Sequence, residues 1–311
     1  MKVNSTASAS NIMMRVFWIS LVLSTLSNLQ YGANLFLPLF HGYSGGQNID
    51  FYRGVIDFLW YVLSFITIYI GYRIGKDADI ENEYQGLIKG LGAGWIASSL
   101  IFVPFYLSSD DVLRLIANVT TLYGFTSGYR IAAVLFSTMT IGWITRDGIR
   151  FKREWNPVIL RPVLVYNGVL LLRALSQRVL SYTLLNSSNR APIVWYTTVL
   201  SWGVFPFWLW YLVRMLSSGR RIDLKEDYGS VLYTIWVPSV VYSTLSYFAV
   251  IAFYYLRDQS LSMLFEIPVA YGLKFVSSTL GVLGLPFGLL CYGYINSRYR
   301  YNAQLNNNKD L

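Results

Sequence analysis

The charged residues of this chain are confined almost entirely to the gaps between long apolar runs. Eight such runs, each of about 20 residues or more, match the length a helix needs to cross the hydrocarbon core of a bilayer. Charged residues make up only 13% of the 311 positions, against about 25% in an ordinary soluble chain. A helix satisfies its own backbone hydrogen bonds in lipid, and an open sheet or exposed loop cannot. The expected fold class is therefore all-α, a polytopic integral membrane protein with eight transmembrane helices. The net charge of +9 does not point to nucleic acid. Lys and Arg sit between the runs, where the positive-inside rule places them.

The spans are expected at about 15–40, 51–74, 84–107, 112–145, 157–185, 191–216, 228–256 and 267–296. Residues 1–11 are polar and read as a short disordered tail, and the Asn-rich stretch 297–311 reads as a disordered cytoplasmic tail. The first run is too long for the apolar region of a signal peptide. Of the 25 Lys and Arg residues, seventeen fall on one side of such a topology, five on the other and three within runs. That bias predicts a cell-membrane, multi-pass protein with both termini cytoplasmic. Asn118 and Asn186 begin Asn-X-Ser/Thr triplets on or near the outer side, candidate glycan sites in a host that glycosylates.

One stretch occurs twice. Residues 219–232 echo residues 75–88 at an offset of 144, with Gly75/Gly219, Asp79/Asp223 and Tyr84/Tyr228 identical. Residues 12–19 are matched by 158–165 at an offset of 146, and Gly142 with its neighbours is matched by Gly293 with a small further change. The chain thus reads as two tandem four-helix repeats, 1–150 and 151–296. Four spans return the chain to its starting side, so the copies are parallel, related by an axis along the membrane normal. This unit, with a basic loop after its second helix, resembles a group of uncharacterised prokaryotic membrane proteins built from tandem four-helix units. The most similar segment is 199–232, and the resemblance implies the topology and no activity.

Small residues recur every four positions at Gly86, Gly90, Gly94 and Ser98, a groove where a second helix can approach. Tight packing within one subunit is the reading preferred here, with a homodimer or a partner in a membrane complex as the alternative. Pro206, Pro238 and Pro286 lie inside apolar runs. Each removes a helical hydrogen bond. Two of them fall at the repeat positions of Gly94 and Gly142. Transporters use such interrupted segments to expose backbone groups, although Pro and Gly are frequent in membrane helices generally.

Charged residues inside the runs are the best functional pointer. Arg130 and Lys274 stand at matched repeat positions, Arg173 near the middle of the fifth run, and Asp57 is the one clear acid. A charge at the bilayer centre costs at least about 2.5–3.5 kcal/mol. That cost is offset if these residues face water, each other or an anion. The functional expectation is a transporter-like protein with a polar cavity between the repeats, where Arg130 and Lys274 bind an anionic lipid or a small anionic solute. Asp57 would act as a salt-bridge gate or a proton or cation site. The plainer alternative has Lys274 snorkelling outward, Asp57 paired with Arg53 one turn away, and Arg130 bonded to freed carbonyls. The basic loops 146–153 and 214–225 are expected to set topology, with contact to anionic lipid headgroups as a second role.

A single Cys (Cys291) excludes an internal disulfide or thiolate cluster, and a single His (His41) excludes bis-His haem and most zinc sites. The glycine-rich loop after His41 lacks the Lys-Ser/Thr of a phosphate loop. No nucleophile elbow is present, and Asp57 has no second buried Asp for intramembrane proteolysis. No metal, cofactor or enzymatic activity is expected. The competing class is a non-transporting subunit or scaffold that holds a partner through its glycine faces.

Overall fold

The computed structural model describes residues 5–40, 47–101, 103–104, 109–148, 153–184, 191–258 and 284–307. Among them are eight α-helices and no strand. These are α1 (Ser5–Phe40), α2 (Gln47–Asp77), α3 (Ile80–Leu100), α4 (Asp111–Ile144), α5 (Pro157–Leu184), α6 (Ala191–Gly219), α7 (Leu224–Asp258) and α8 (Leu285–Asn307). A 3-10 turn, Thr145–Asp147, follows α4 and ends at Gly148, whose φ of 119° favours glycine.

Both polar tails depart from expectation. Helix α1 already begins at Ser5, because the Ser/Ala-rich stretch before the first apolar run contains no Pro or Gly to stop it. At the other end, α8 runs past residue 297 to Asn307 instead of giving way to a disordered tail. The reason is tertiary. The Tyr299 ring lies 5.8 Å from that of Tyr84, and Gln85 Nε2 donates to the Tyr299 hydroxyl at 2.7 Å.

Helices α1 and α2 expose large apolar side chains and bury small polar ones alongside their apolar core. On α1 the exposed side chains include Met14, Trp18, Val22, Leu26 and Leu29, while Ser20, Ser24, Ser27 and Asn28 are buried. On α2, Phe58, Phe65 and Tyr69 face outward, and Ser64, Thr67 and Gly71 face inward. Helices surrounded by hydrocarbon place apolar residues outward and small or polar ones at helix contacts. Among the described residues three segments are long and apolar enough to cross a membrane: Asn11–Gln30, Phe58–Asp77 and Pro157–Gln177. Helix α3 is diluted by Glu81, Glu83, Lys89 and its glycines, and α7 by its Ser and Tyr residues.

The chain divides into two compact units. The first is Met1–Gly148 with Ile295–Leu311, and the second is Ile149–Tyr294. In the first, α1 packs on α3, α4 and α2, and α4 also packs on α2 and α3. Leu23, Leu63 and Ile131 form a buried apolar cluster with Ile19 against it. In the second, α5 packs on both α6 and α7.

The twice-repeated stretch performs the same job in each unit. Gly75 closes α2 against α4: a Cβ there would overlap the carbonyl of Met139, and a Cβ on Gly142 would overlap the carbonyl of Tyr72. In the second unit a Cβ on Gly219 would overlap the Leu290 carbonyl, and one on Gly293 the Leu216 carbonyl. Each crossing is thus reciprocal, with a glycine from either helix seated on the other's backbone. After the crossing an Asp starts the next helix. Asp79 is the N-cap of α3, its carboxylate accepting from Asn82 Nδ2 at 2.7 Å. Its backbone N–H donates to Glu83 Oε2 at 3.1 Å. Asp223 caps α7 more directly, its Oδ1 accepting from the Lys225 N–H at 3.1 Å. Both helices carry acids in the first turn, Glu81 and Glu83 in α3, Glu226 and Asp227 in α7, which suits the positive end of the helix dipole. Tyr84 and Tyr228 follow, both buried.

Candidate functional site

Helix α4 is central to the first unit, and Arg130 interrupts its burial. Every residue from 128 to 145 is described, and within that stretch Arg130 alone has an exposed side chain. It stands fourteen residues before the helix end at Ile144, about 21 Å along the axis at ~1.5 Å per residue. A guanidinium at that depth, outside the packed core, is placed to meet whatever covers that face of α4.

The other candidates are distributed differently. Lys274 lies outside the described residues. Asp57 belongs to α2, but its side chain lies outside the described ones, as does that of Arg53. Asn118 has a backbone in α4 and a side chain outside the described ones, and Asn186 is outside them altogether. Arg173 is half-buried on α5. Helix α7, which carries Tyr242, packs against α5. Ser246 and the neighbouring Ser243 are buried. Of the four charged candidates, Arg130 lies in the first unit and Arg173 in the second.

The glycine face of α3 is used inside the first unit. Gly86, Gly90 and Gly94 are all buried. A Cβ on Gly90 would press on the Met13 carbonyl and one on Gly94 on the Phe17 carbonyl, both on α1. Ser20 Oγ donates to the Leu91 carbonyl at 3.1 Å in the same seam. At the corresponding positions the second unit has Ser230 and Thr234 in place of Gly86 and Gly90. Ser230 Oγ donates to the Glu154 carbonyl at 2.9 Å, and the Asn156 N–H donates to Thr234 Oγ1 at 2.7 Å. One seam is thus closed by absent side chains and the other by hydrogen bonds to the segment entering α5.

Two features escaped the sequence reading. The first is the buried polar stripe of α1. Ser24 Oγ donates to the Gly128 carbonyl at 3.5 Å, and Asn28 Nδ2 donates to Ser98 Oγ at 3.4 Å. The signal was the spacing of Ser20, Ser24, Ser27 and Asn28 along one face of an apolar run. The second is Arg146, whose Nη2 donates to the carbonyls of Gly75 and Ala78 at the end of α2. This basic residue does local structural work at a helix C-terminus beyond any part in topology. The prolines are placed as expected for two of the three: Pro206 lies inside α6 and Pro238 inside α7, while Pro286 is the second residue of α8 and Pro162 is a further one inside α5.

Among the described residues no cluster of His, Cys, Asp and Glu is close enough to hold a metal ion. The arrangement offers cations and hydroxyls within apolar helices, chemistry suited to holding an anion by charge-assisted hydrogen bonds. Comparison with protein-family models, with curated proteins and with solved structures finds no match for this chain.

Proposed function

We propose that this is a multi-pass membrane protein of eight spans in two parallel repeats, both termini cytoplasmic, and transporter-like in function. It binds an anionic solute or the headgroup of an anionic lipid through intramembrane cations. The observation that carries this reading is the exposure of Arg130 in the otherwise packed stretch 128–145 of α4. An exposed guanidinium that deep in an apolar helix is costly against hydrocarbon and favourable against water or an anion. Lys274, its repeat counterpart, is the second cation of the same reading. The scaffold alternative has less support, since the Gly90 and Gly94 face it would use is filled by α1.

The test is accessibility. Cysteine is introduced at position 130 or 274 with Cys291 replaced by Ala, and intact vesicles are treated with a membrane-impermeant thiol reagent. Labelling at both, reduced by an anionic solute or by anionic lipid, is the expected result. Absence of labelling at either position removes the transporter-like reading. The same assay on cysteines at Ser217 and Ser187 reads topology: the first is labelled only from the cytoplasmic side and the second only from outside.

A further inference from the structure

The first unit holds a neutral polar cluster that the second unit does without. It lies where α1, α3 and α4 pack together. Ser24 and Asn28 of α1 and Ser98 of α3 are fully buried. Ser24 Oγ donates to the Gly128 carbonyl of α4 at 3.5 Å, and Asn28 Nδ2 donates to Ser98 Oγ at 3.4 Å. Helices α1 and α5 align at an offset of 146, so Leu170 and Ala174 of α5 stand where α1 has Ser24 and Asn28. Helix α5 still packs on α7. Closing such a seam therefore does not require the polar set, and burying polar groups costs stability unless they are well bonded.

The geometry around Gly128 suits a small ligand. Both contacts are longer than the ~2.7–3.0 Å of an ordinary hydrogen bond. The Ser24 and Gly128 oxygens, 3.5 Å apart, are spaced as two adjacent ligands of one cation held at ~2.3–2.6 Å from each. A Cβ on Gly128 would lie 2.9 Å from Trp95 Cδ1 and 3.5 Å from Asn28 Oδ1, so the missing side chain lets the Asn28 oxygen and the Trp95 ring close over the same spot. Ser98 Oγ donates to the Trp95 carbonyl at 2.6 Å, which leaves its lone pairs for the seam. The Ser99 hydroxyl is buried and has no hydrogen-bond partner among the described residues. Ser99 stands one turn past Trp95, on the side of α3 that meets Gly128 and Tyr129 of α4. A buried hydroxyl left over in this way points to a bound water or ion.

The ligands are oxygens without charge. Helix α1 contains no carboxylate, α3 none after Glu83 and α4 none after Asp111. Divalent cations call for carboxylates, whereas carbonyls and hydroxyls can replace the water shell of a monovalent one. Ser24 stands six residues before the apolar span Asn11–Gln30 ends, about 9 Å along the axis at ~1.5 Å per residue. A cation therefore reaches the cluster from that end without crossing the centre of the bilayer. Arg130, two residues past Gly128, is exposed on the opposite side of α4, so its charge faces away.

We propose that Ser24, Asn28, Ser98 and the Gly128 carbonyl bind a dehydrated monovalent cation of the size of Na+ within the first unit, with Ser99 completing its shell. The site is separate from the anion proposed at Arg130.

The experiment uses the full chain in nanodiscs of zwitterionic phosphatidylcholine, with binding of radiolabelled Na+ measured by equilibrium dialysis at constant ionic strength. Saturable binding is expected, competed by unlabelled Na+ and not by N-methylglucamine. N28A should weaken it at least ~tenfold and S24A about threefold. N28D keeps the shape and adds a charge, so tighter Na+ binding and uptake of Ca2+ are expected at alkaline pH. The control is T67V, because the buried Thr67 hydroxyl donates to the Leu63 carbonyl of its own helix at 2.8 Å. No saturable Na+ binding to the wild-type chain overturns the proposal and leaves the cluster holding water alone. So does binding that N28A and N28D leave unchanged, or that T67V removes as fully as N28A. If N28A does not fold, S24A and N28D carry the test. Thiol labelling at positions 130 and 274 involves none of these residues, so the failure of either reading is distinguishable from that of the other.

Discussion

The α-carbon of Gly219 lies so close to the carbonyl of Leu290 that a single methyl group on the glycine would overlap it. Gly75 stands in the same relation to Met139, 144 residues earlier on the glycine side and 151 earlier on the carbonyl side. Two helix crossings with such low sequence identity elsewhere share this contact because it admits no other residue. Backbones that close leave no room for a side chain, and the contact itself supplies dispersion and weak Cα–H···O attraction.

Valine at position 75 or 219 is therefore expected to destabilise its unit by about 1–3 kcal/mol or more, as overpacking of a rigid contact does. Thermal unfolding in detergent, followed by circular dichroism, would show a lowered midpoint for both. Gly203 on α6 has nothing within 4 Å of an added Cβ, so G203A serves as the control and should leave the midpoint essentially unchanged. Equal midpoints for G75V and G203A would refute the crossing.

The α3 and α7 seams should each be weakened by substitution, for different physical reasons. Thr234→Val keeps the shape but leaves the buried Asn156 N–H without its acceptor, a loss of about 1–3 kcal/mol. Gly90→Thr in the first unit forces atoms into the Met13 carbonyl and should prevent α1 from seating on α3. Chemical denaturation of the two variants against wild type measures both effects.

The contact between Gln85 and Tyr299 joins residues 214 positions apart. Tyr299→Ala should release the C-terminal turns of α8 and raise amide hydrogen exchange both in residues 297–307 and in the first turn of α3. Tyr301 is exposed, so Y301A should change neither. Unaltered exchange in Y299A would show that α8 persists without this docking.

Arg146→Gln removes the cationic donor to the Gly75 and Ala78 carbonyls. The expected consequence is fraying at the end of α2, worth about 1 kcal/mol given that Arg146 is exposed. Hydrogen exchange at residues 76–79 reads it locally. Arg153, also exposed, makes the matched charge control.

Local chemistry along the chain was enough to mark most of the runs as helices and to pick out the Gly75 and Gly219 stretches, because these depend on short-range signals. An Asp that caps, acids in a first turn and a charge-free run each act within a few residues. The four charged candidates were legible in the same way, since a charge inside an apolar run needs no structure to be seen. Which side of each helix is buried was a different matter. Apolar residues occupy both the buried and the exposed sides of α1, so apolar periodicity does not separate core from surface, and the packing shows that Ser20, Ser24 and Asn28 turn inward while Trp18 and Leu26 turn out. Packing also decided that Gly90 and Gly94 serve α1 and that Tyr299 holds the end of α8 to α3. Each of these joins residues about 70 or more positions apart, and the helix propensities and charge spacings that place single elements carry no information about which distant surfaces will fit together.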